Sequence, residues 1–282
     1  MRKIIVITLL ALTSCMGLKK KTGYYRLQPA MNADSAETIK TKILHTVDTG
    51  VFKPIAYTGT GMITINTRLL EPVSPDTGRK YPLVLVLHSS GRPIGTDNVS
   101  QLGVLARLWA QPAIREKYPA YVLVPQFPRR SSNYSPDPSR KVLSSVPDSC
   151  LTTALELVDA ILKMFPIDNR RIYVVGFSMG GSSAINAMGL RPDLFAAGLS
   201  ISGIPDFGHL TTLAKTPLWL VHGNADTENP MSSDSVLYKE LEALHDEHIT
   251  FWEIEGLQHE LYPELYTTDA IPAWLFQQQR ID

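Results

Sequence analysis

Residues 176–180 read Gly-Phe-Ser-Met-Gly, a G-x-S-x-G pattern that places one serine between two glycines. The pattern follows an apolar run at 172–175, which is typical of a buried strand, and it opens a helical pattern over 179–190. A tight strand-to-helix turn needs small residues beside the serine, and the two glycines meet that need. We therefore predict that Ser178 projects from such a turn as a nucleophile.

A serine hydroxyl becomes a good nucleophile only when a base removes its proton and an acid orients that base. His259 is the candidate base, because it lies in the loop predicted after the last strand. Asp226 and Asp206 both follow predicted strands and are the candidate acids. The stronger pattern, His-Gly-Asn-Ala-Asp at 222–226, favours Asp226 and gives the order serine, acid, histidine of nucleophile-elbow enzymes.

Acyl transfer also requires N–H donors that stabilise the oxyanion. One expected donor is the backbone N–H of Met179, directly after the nucleophile. The second donor is expected in the loop after the apolar run 83–87, where we assign Ser90, with Ser89 as the alternative.

Continuously apolar runs alternate with helical patterns along most of the chain. Such runs indicate strands covered on both faces, and their alternation with helices indicates a parallel sheet. The sequence therefore predicts an α/β fold, with a mostly parallel, twisted sheet and helices on both faces. The strand patterns lie at 62–69, 83–87, 121–124, 172–175, 196–201, 218–221 and 249–254, and the helical patterns at 99–117, 149–165, 179–190, 233–245 and near 266–278.

Residues 128–148 are rich in Ser, Arg and Pro and contain few apolar residues. A loop of this length within a domain is usually functional or disordered, and this one follows a strand end, where α/β folds build their sites. We predict that it borders the substrate pocket, with Arg129, Arg130 and Tyr134 as binding residues. The alternative is a solvated connection.

Residues 1–15 combine a basic start with a short apolar core and end in Leu-Thr-Ser-Cys, which resembles a bacterial lipobox. The core is too short to span a bilayer. We predict a lipoprotein signal peptide ending at Cys15, whose lipid would anchor the exported protein to a periplasmic or cell-surface membrane face; the alternative is an ordinary cleaved signal. Residues 16–50 are interpreted as a tether and lead-in with a short helix near 36–44, and 51–282 as the catalytic domain.

Charge balance, histidine spacing and cysteine placement indicate which kinds of partner and site the chain is predicted to lack or contain. Basic and acidic residues balance at 27 each, without the clustered positive charge that nucleic-acid binding requires. His245 and His248 lack convincing partner ligands, so the sequence predicts no metal site. Cys150 lies on an apolar helical face and is predicted to be a buried structural thiol.

Together these motifs resemble the α/β-hydrolase superfamily and, within it, secreted esterases similar to poly(3-hydroxybutyrate) depolymerases, feruloyl esterases and dienelactone-hydrolase relatives. Ser89 departs from that pattern, because the family commonly has glycine there; the loop must then adopt a geometry that an L-residue tolerates. The matching motifs are Leu-His at 87–88, Gly-Thr-Asp-Asn at 95–98, Pro-Gln at 125–126, the serine turn at 176–181, His-Gly-Asn-Ala-Asp at 222–226 and Gly-Leu-Gln-His at 256–259.

The resemblance implies hydrolysis of carboxylic esters through an acyl-serine intermediate, without a cofactor. Ser178 would attack, His259 would carry the proton and Asp226 would hold His259 in the correct tautomer. The implied substrates are short acyl esters or polysaccharide-linked acetyl and feruloyl esters. Two alternatives remain: a serine peptidase related to prolyl oligopeptidases, which usually carry an additional propeller domain, and a catalytically silent binding lipoprotein of the same fold.

Overall fold

The computed structural model describes residues 22–91, 98–244 and 247–281. Its strands are β1 (Gly23–Leu27), β2 (Phe52–Thr58), β3 (Thr64–Leu70), β4 (Tyr81–Leu87), β5 (Tyr121–Gln126), β6 (Ser132–Asp137), β7 (Val142–Pro147), β8 (Ile167–Phe177), β9 (Ala197–Ile201), β10 (Leu218–Gly223) and β11 (Ile249–Ile254). Its helices are α1 (Ala33–Thr46), α2 (Val104–Leu108), α3 (Pro112–Lys117), α4 (Ser149–Met164), α5 (Met179–Leu190), α6 (Leu210–Leu213), α7 (Ser232–Ala243), α8 (Glu264–Thr267) and α9 (Ala270–Leu275).

One large sheet carries the site. Its strand order is β1-β11-β10-β9-β8-β4-β5-β3-β2. Pairing is parallel from β1 through to β5, whereas β3 pairs antiparallel with both β5 and β2. The predicted mostly parallel sheet is therefore confirmed, and the carboxyl ends of its central strands meet at one edge, where α/β folds place their sites.

The two faces of the sheet explain why its strands are continuously apolar. On β4, Leu83, Leu85 and Leu87 join a core cluster with residues of α4, α5 and α7. The intervening Val84 and Val86 join a second cluster with residues of α2, α8 and α9. Because side chains alternate between the faces of a strand, both sets must be apolar when helices cover both faces. The prediction of helices on both faces is thus confirmed.

Within residues 22–50, the expected lead-in helix is present as α1, but the structure has the strand β1 where the sequence predicted a tether. β1 pairs in parallel with β11, from Gly23 opposite Thr250 to Leu27 opposite Ile254. The domain therefore includes residues well before 51. A half-exposed strand of five residues is too short to show a clear alternation, which explains why the sequence pattern missed it. The predicted signal and Cys15 lie outside the described residues.

Residues 128–148 are not the irregular loop that the sequence predicted, because β6 and β7 pair there as an antiparallel hairpin. The hairpin is polar because it packs against polar side chains of α5. Ser183 Oγ lies 2.8 Å from Ser132 Oγ, and Asn186 bonds with both Ser132 Oγ (2.8 Å) and Ser145 Oγ (3.1 Å). Because the inward-facing residues of these strands are polar and hydrogen-bonded, the sequence lacks the alternation of apolar and polar residues that predicts a strand.

The prediction for Cys150 is confirmed: its side chain is fully buried at the start of α4. Burial is also the main reason that the pKa of its thiol is raised to about 12, so it remains an unreactive thiol at neutral pH. Within the described ranges, no helix combines the length and apolarity needed to cross a bilayer.

Candidate active site

The turn between β8 and α5 holds Ser178 in a left-handed backbone conformation, at φ 58° and ψ −122°. Such a conformation is strained for a non-glycine residue and persists only where the surroundings fix it. The Ser178 N–H donates to Ile201 O at 2.8 Å, and Ser178 O accepts from the Ser182 N–H at 3.0 Å. A Cβ on Gly176 would lie only 2.1 Å from Gly180 O, so the turn could not close around a larger residue.

Ser178, His259 and Asp226 form a continuous chain of hydrogen bonds. Ser178 Oγ donates to His259 Nε2 across 2.8 Å, and His259 Nδ1 donates to Asp226 Oδ2 across 2.7 Å. The ring of Phe177 lies beside the imidazole, with 5.1 Å between ring centroids. The His259 side chain is only 11% exposed, so most of the relay is shielded from water. This arrangement can move a proton from the serine hydroxyl to the imidazole.

The structure brings Asp226 to His259, rather than the rival Asp206. Asp226 Oδ1 accepts from the backbone N–H groups of Glu228 and Asn229, both at 2.9 Å, which leaves Oδ2 aimed at His259. Asp206 lies elsewhere, where its Oδ2 is 3.8 Å from the Nε2 of another imidazole, His209.

Hydrogen bonds keep Asp226 ionised despite its burial. Burial alone would raise the pKa of this carboxyl, but His222 at 3.3 Å and the hydrogen bonds from His259 and the Asn229 N–H outweigh burial and hold the pKa well below its usual range. An ionised Asp226 can stabilise the imidazolium that forms when His259 takes a proton.

The predicted oxyanion donors lie in two neighbouring segments. Met179 is the first residue of α5, where N–H groups lack partners within the helix. Ser89 and Ser90 follow the end of β4. A Cβ on Gly180 would lie 2.1 Å from Leu87 O, so the start of α5 and the end of β4 are in direct contact. The assignments of Met179 and Ser90, with Ser89 as the alternative, stay predictions.

His88 fixes the backbone of the loop after β4. Its Nε2 accepts from the Phe127 N–H at 3.0 Å, so the ring proton sits on Nδ1 and is donated to Ser89 O at 2.8 Å. Burial lowers the pKa of His88 and outweighs the effect of that second bond, which keeps the ring neutral. Ser89 itself stays outside the left-handed region, unlike Ser178 and Ser202, so the loop has the geometry that an L-residue requires.

A cavity of about 100 Å³ is lined in part by residues that neighbour Ser178 and His259 in the sequence. Its wall includes Ser89 from the loop after β4, Phe177 directly before the nucleophile and Leu261 two residues after His259. Apolar residues of α2, among them Leu105, form much of the remaining wall. A mostly apolar cavity in this place suits the acyl part of a substrate.

The three predicted binding residues have different partners in the structure. Tyr134 Oη lies 3.0 Å from Ser182 Oγ, one helical turn after the nucleophile, and the Arg130 guanidinium lies 5.0 Å above the Tyr134 ring. Arg129 instead donates to Asp148, the N-cap of α4, at 2.8 Å. The structure therefore assigns Arg129 to the framework, whereas Arg130 and Tyr134 remain candidates for substrate contacts.

A buried pair behind Asp226 was not predicted to be functional. His222, at the end of β10, lies 2.7 Å from Asp234 in α7 and 3.3 Å from Asp226. The two partners of His222 come from a loop and a helix, so no local spacing links them; the position of His222 just before the acid loop was the available signal. Within the described residues, no group of three His, Cys, Asp or Glu side chains could hold a metal ion.

Comparisons with known proteins agree with this geometry. The pattern of the phospholipase/carboxylesterase family matches residues 134–267, which include all three residues of the relay. A solved thermostable esterase is similar with a TM-score of 0.72 and 30% identity, over 82% of this chain and 64% of the esterase. The chain has the fold of the α/β-hydrolases and is similar to esterases with that fold.

Two further members of related esterase groups are more distant or match a shorter segment. The ferulic acid esterase of Anaeromyces mucronatus has a TM-score of 0.58 and 18% identity, over 83% of this chain and 96% of that one, which shows a shared fold. A bifunctional acetylxylan esterase/xylanase from Neocallimastix patriciarum is 35% identical over 71 residues, which is 25% of this chain and 11% of the fungal protein. The chain thus spans less than two thirds of both the thermostable esterase and this curated relative.

Proposed function

We propose that this α/β-hydrolase hydrolyses carboxylic esters through an acyl-enzyme at Ser178. The observation that carries the proposal is the unbroken relay from Ser178 Oγ through His259 to Asp226, at 2.8 Å and 2.7 Å. The similarity to the thermostable esterase over most of this chain supports the reaction class. The strained serine backbone supports it too, because such strain clusters at functional sites.

The first half of the reaction acylates the serine. Ser178 Oγ attacks the ester carbonyl while His259 Nε2 takes the hydroxyl proton, and the ionised Asp226 stabilises the imidazolium. The negative charge on the former carbonyl oxygen is met by N–H groups at Met179 and in the loop after β4. The C–O bond to the alcohol then breaks, and His259 returns the proton to the leaving alkoxide, so an alcohol departs and an acyl-serine remains.

The second half repeats the same steps with water. His259 Nε2, again unprotonated, removes a proton from a water molecule as its oxygen attacks the acyl-serine carbonyl. Collapse of the tetrahedral intermediate breaks the bond to Ser178 Oγ, and the imidazolium returns the proton to the serine. The carboxylic acid leaves, and the relay is restored without any other reactant.

The proposed substrates are short acyl esters or acetyl and feruloyl esters linked to polysaccharides. The names of two relatives support this range, since one is an acetylxylan esterase/xylanase and one a ferulic acid esterase. The cavity beside Phe177 offers apolar walls for the acyl group. The Arg130–Tyr134 pair offers a cation and an aromatic surface to larger substituents.

A panel of chromogenic acyl esters of increasing chain length, with feruloyl esters and acetylated xylan, tests this function. We expect turnover of at least one class, and Ser178→Ala should lose nearly all of it while folding normally, because only binding and oxyanion donors remain. Aminoacyl anilides in the same panel test the peptidase alternative. Hydrolysis of the anilides alone, or of no substrate, would contradict the proposal.

We further propose that the chain is exported and anchored to a membrane by lipid on Cys15. The support is the lipobox-like run Leu-Thr-Ser-Cys after a short apolar segment. Cys15→Ala should give an unlipidated, mislocalised protein whose purified form keeps full esterase activity. Recovery of the wild-type protein from cells in a mature form without acyl chains would refute the anchor.

A further inference from the structure

The catalytic carboxylate has a second histidine on its far side. His222 Nε2 lies 3.3 Å from Asp226 Oδ2, the same oxygen that accepts from His259 Nδ1 at 2.7 Å. The side chains of His222 and Asp226 are both fully buried. One carboxylate oxygen is therefore shared by two imidazoles, and nothing in the mechanism above uses the second.

Both ring nitrogens of His222 face acceptors. Nε2 lies 2.8 Å from Asn229 O, and a carbonyl oxygen can only accept, so Nε2 carries a proton. Nδ1 lies 2.7 Å from Asp234 Oδ2 in the interior of the protein. This geometry favours an imidazolium that is charge-balanced by Asp234. Burial opposes that charge, but the contacts of the ring with the carboxylates of Asp226 and Asp234 outweigh burial and raise the pKa of His222 to about 9.

His222 is not needed to aim Asp226. The orientation of that carboxylate is already fixed, because Oδ1 accepts from the N–H groups of Glu228 and Asn229. What His222 adds beside Oδ2 is a positive charge, because its Nε2 proton is donated to Asn229 O at 2.8 Å. His222 therefore changes the electrostatic environment of Asp226 and His259 rather than their positions.

Few titratable groups besides Asp226 and Asp234 lie close to His222 among the described residues. Among the described residues, the titratable groups that face His222 directly are Asp226 from the loop after β10 and Asp234 from α7. On β11, Glu253 is the register neighbour of His222, but its carboxylate pairs with Arg26 at 2.9 Å.

On the other side of Asp226 lie two further titratable groups, first His259 and then Glu228. Glu228 Oε2 lies 3.8 Å from His259 Nε2, and its side chain is 74% exposed, so solvent screens it. Solvent screens neither His222 nor Asp226 in this way.

We propose that His222, kept cationic by Asp234, is a positioning residue that tunes Asp226 and thereby sets the pH at which His259 accepts the serine proton. The inference rests on the proposed ester hydrolysis at Ser178. A cation beside Asp226 weakens the attraction of that carboxylate for protonated His259. Without the cation, His259 would hold its proton to higher pH, and fewer molecules would carry the free base.

Two substitutions separate the charge from the hydrogen bond. His222→Gln keeps an N–H near the Nε2 position that can still donate to Asn229 O, whereas His222→Asn keeps one near Nδ1 and leaves Asn229 O without that donor. Asn229 in turn holds Asp226 Oδ1 through its N–H. Both remove the charge, so the acidic limb of kcat/KM for a chromogenic ester should rise by about one pH unit in each. The plateau kcat should fall further in His222→Asn, by about tenfold, with KM little changed.

His209→Gln is the matched control. His209 is half-buried near Asp206, away from the relay, and its variant should superimpose on the wild-type pH profile. An unmoved acidic limb in a folded His222→Gln variant would overturn the proposal, because a purely structural role predicts reduced stability without a shifted limb.

Nitrogen-15 NMR of the histidine side chains gives a second reading that needs no variant at His222. One histidine of the wild-type protein should keep both N–H protons at about pH 8, well above the ordinary histidine pKa. In Asp234→Asn, the same histidine should lose a proton at lower pH. If every histidine is neutral at that pH, the proposal fails. The NMR measurement needs no substrate, so it tests the charge of His222 independently of ester hydrolysis. A wild-type protein that hydrolyses no ester would refute the proposed function and not the charge of His222.

Discussion

At the scale of single residues, the site depends on which carboxylate reaches His259. Asp226 lies 2.7 Å from the imidazole, whereas Asp206 accepts from its own turn, at Gly208 N, and lies near His209. The sequence could predict Ser178 and His259 because the nucleophile turn and the terminal loop each have a local pattern. It could only rank the two acids, because that choice depends on which strand end lies beside the histidine loop.

The two acids can be distinguished by matched substitutions. Asp226→Asn should lower kcat by about 10³-fold or more, because the amide stabilises the wrong imidazole tautomer and no imidazolium. Asp206→Asn should change kcat less than about twofold, since Asp206 contacts no residue of the relay. Steady-state kinetics on one chromogenic ester measures both. Equal losses in the two variants would contradict the assignment of Asp226.

At the scale of elements, the β6–β7 hairpin and the residues directly before it carry the side chains that could distinguish substrates. The strands of the hairpin could not be predicted from the sequence because they pack through polar contacts, such as Ser132 Oγ to Ser183 Oγ at 2.8 Å, rather than through an apolar face. The edge strand β1 escaped prediction for a different reason, its length of five residues. The central strands were predictable, since helices on both faces require continuous apolarity.

Substitutions in the hairpin test its role in selectivity. Arg130→Ala and Tyr134→Ala should change the ratio of kcat/KM between feruloyl and acetyl esters by about threefold or more, because discrimination is a difference in transition-state binding. Small acetyl esters should be least affected. Arg129→Ala is the matched control, because its guanidinium binds Asp148 at the start of α4, and it should leave the ratio unchanged. A uniform change across all substrates would remove the hairpin from substrate selection.

At the scale of the whole molecule, the buried His222–Asp234 pair links the stability of the fold to pH. The folded-state pKa of His222, about 9, lies above the unfolded value near 6.5. A raised pKa contributes stability that is fully present below the unfolded value and is lost as pH rises through the folded value. The protein should therefore lose stability between about pH 6.5 and pH 9, by more than about 1 kcal/mol.

Denaturant unfolding at a series of pH values measures this dependence. The wild-type free energy of unfolding should decline across that window. His222→Gln cannot bind the extra proton, so its curve should be lower but nearly flat there. Parallel curves for the two proteins would show that His222 is not the group responsible.

The central claim is that Ser178 becomes acylated, and the most direct test is to trap that species. Mixing the protein with a slowly hydrolysed acyl ester, quenching in acid and digesting it should yield the peptide containing Ser178 with the mass of one added acyl group. The modification should disappear in Ser178→Ala and decay on incubation of the wild-type protein in buffer. An acyl group found on another residue, or turnover of the ester by folded Ser178→Ala at more than about a tenth of the wild-type rate, would contradict the account.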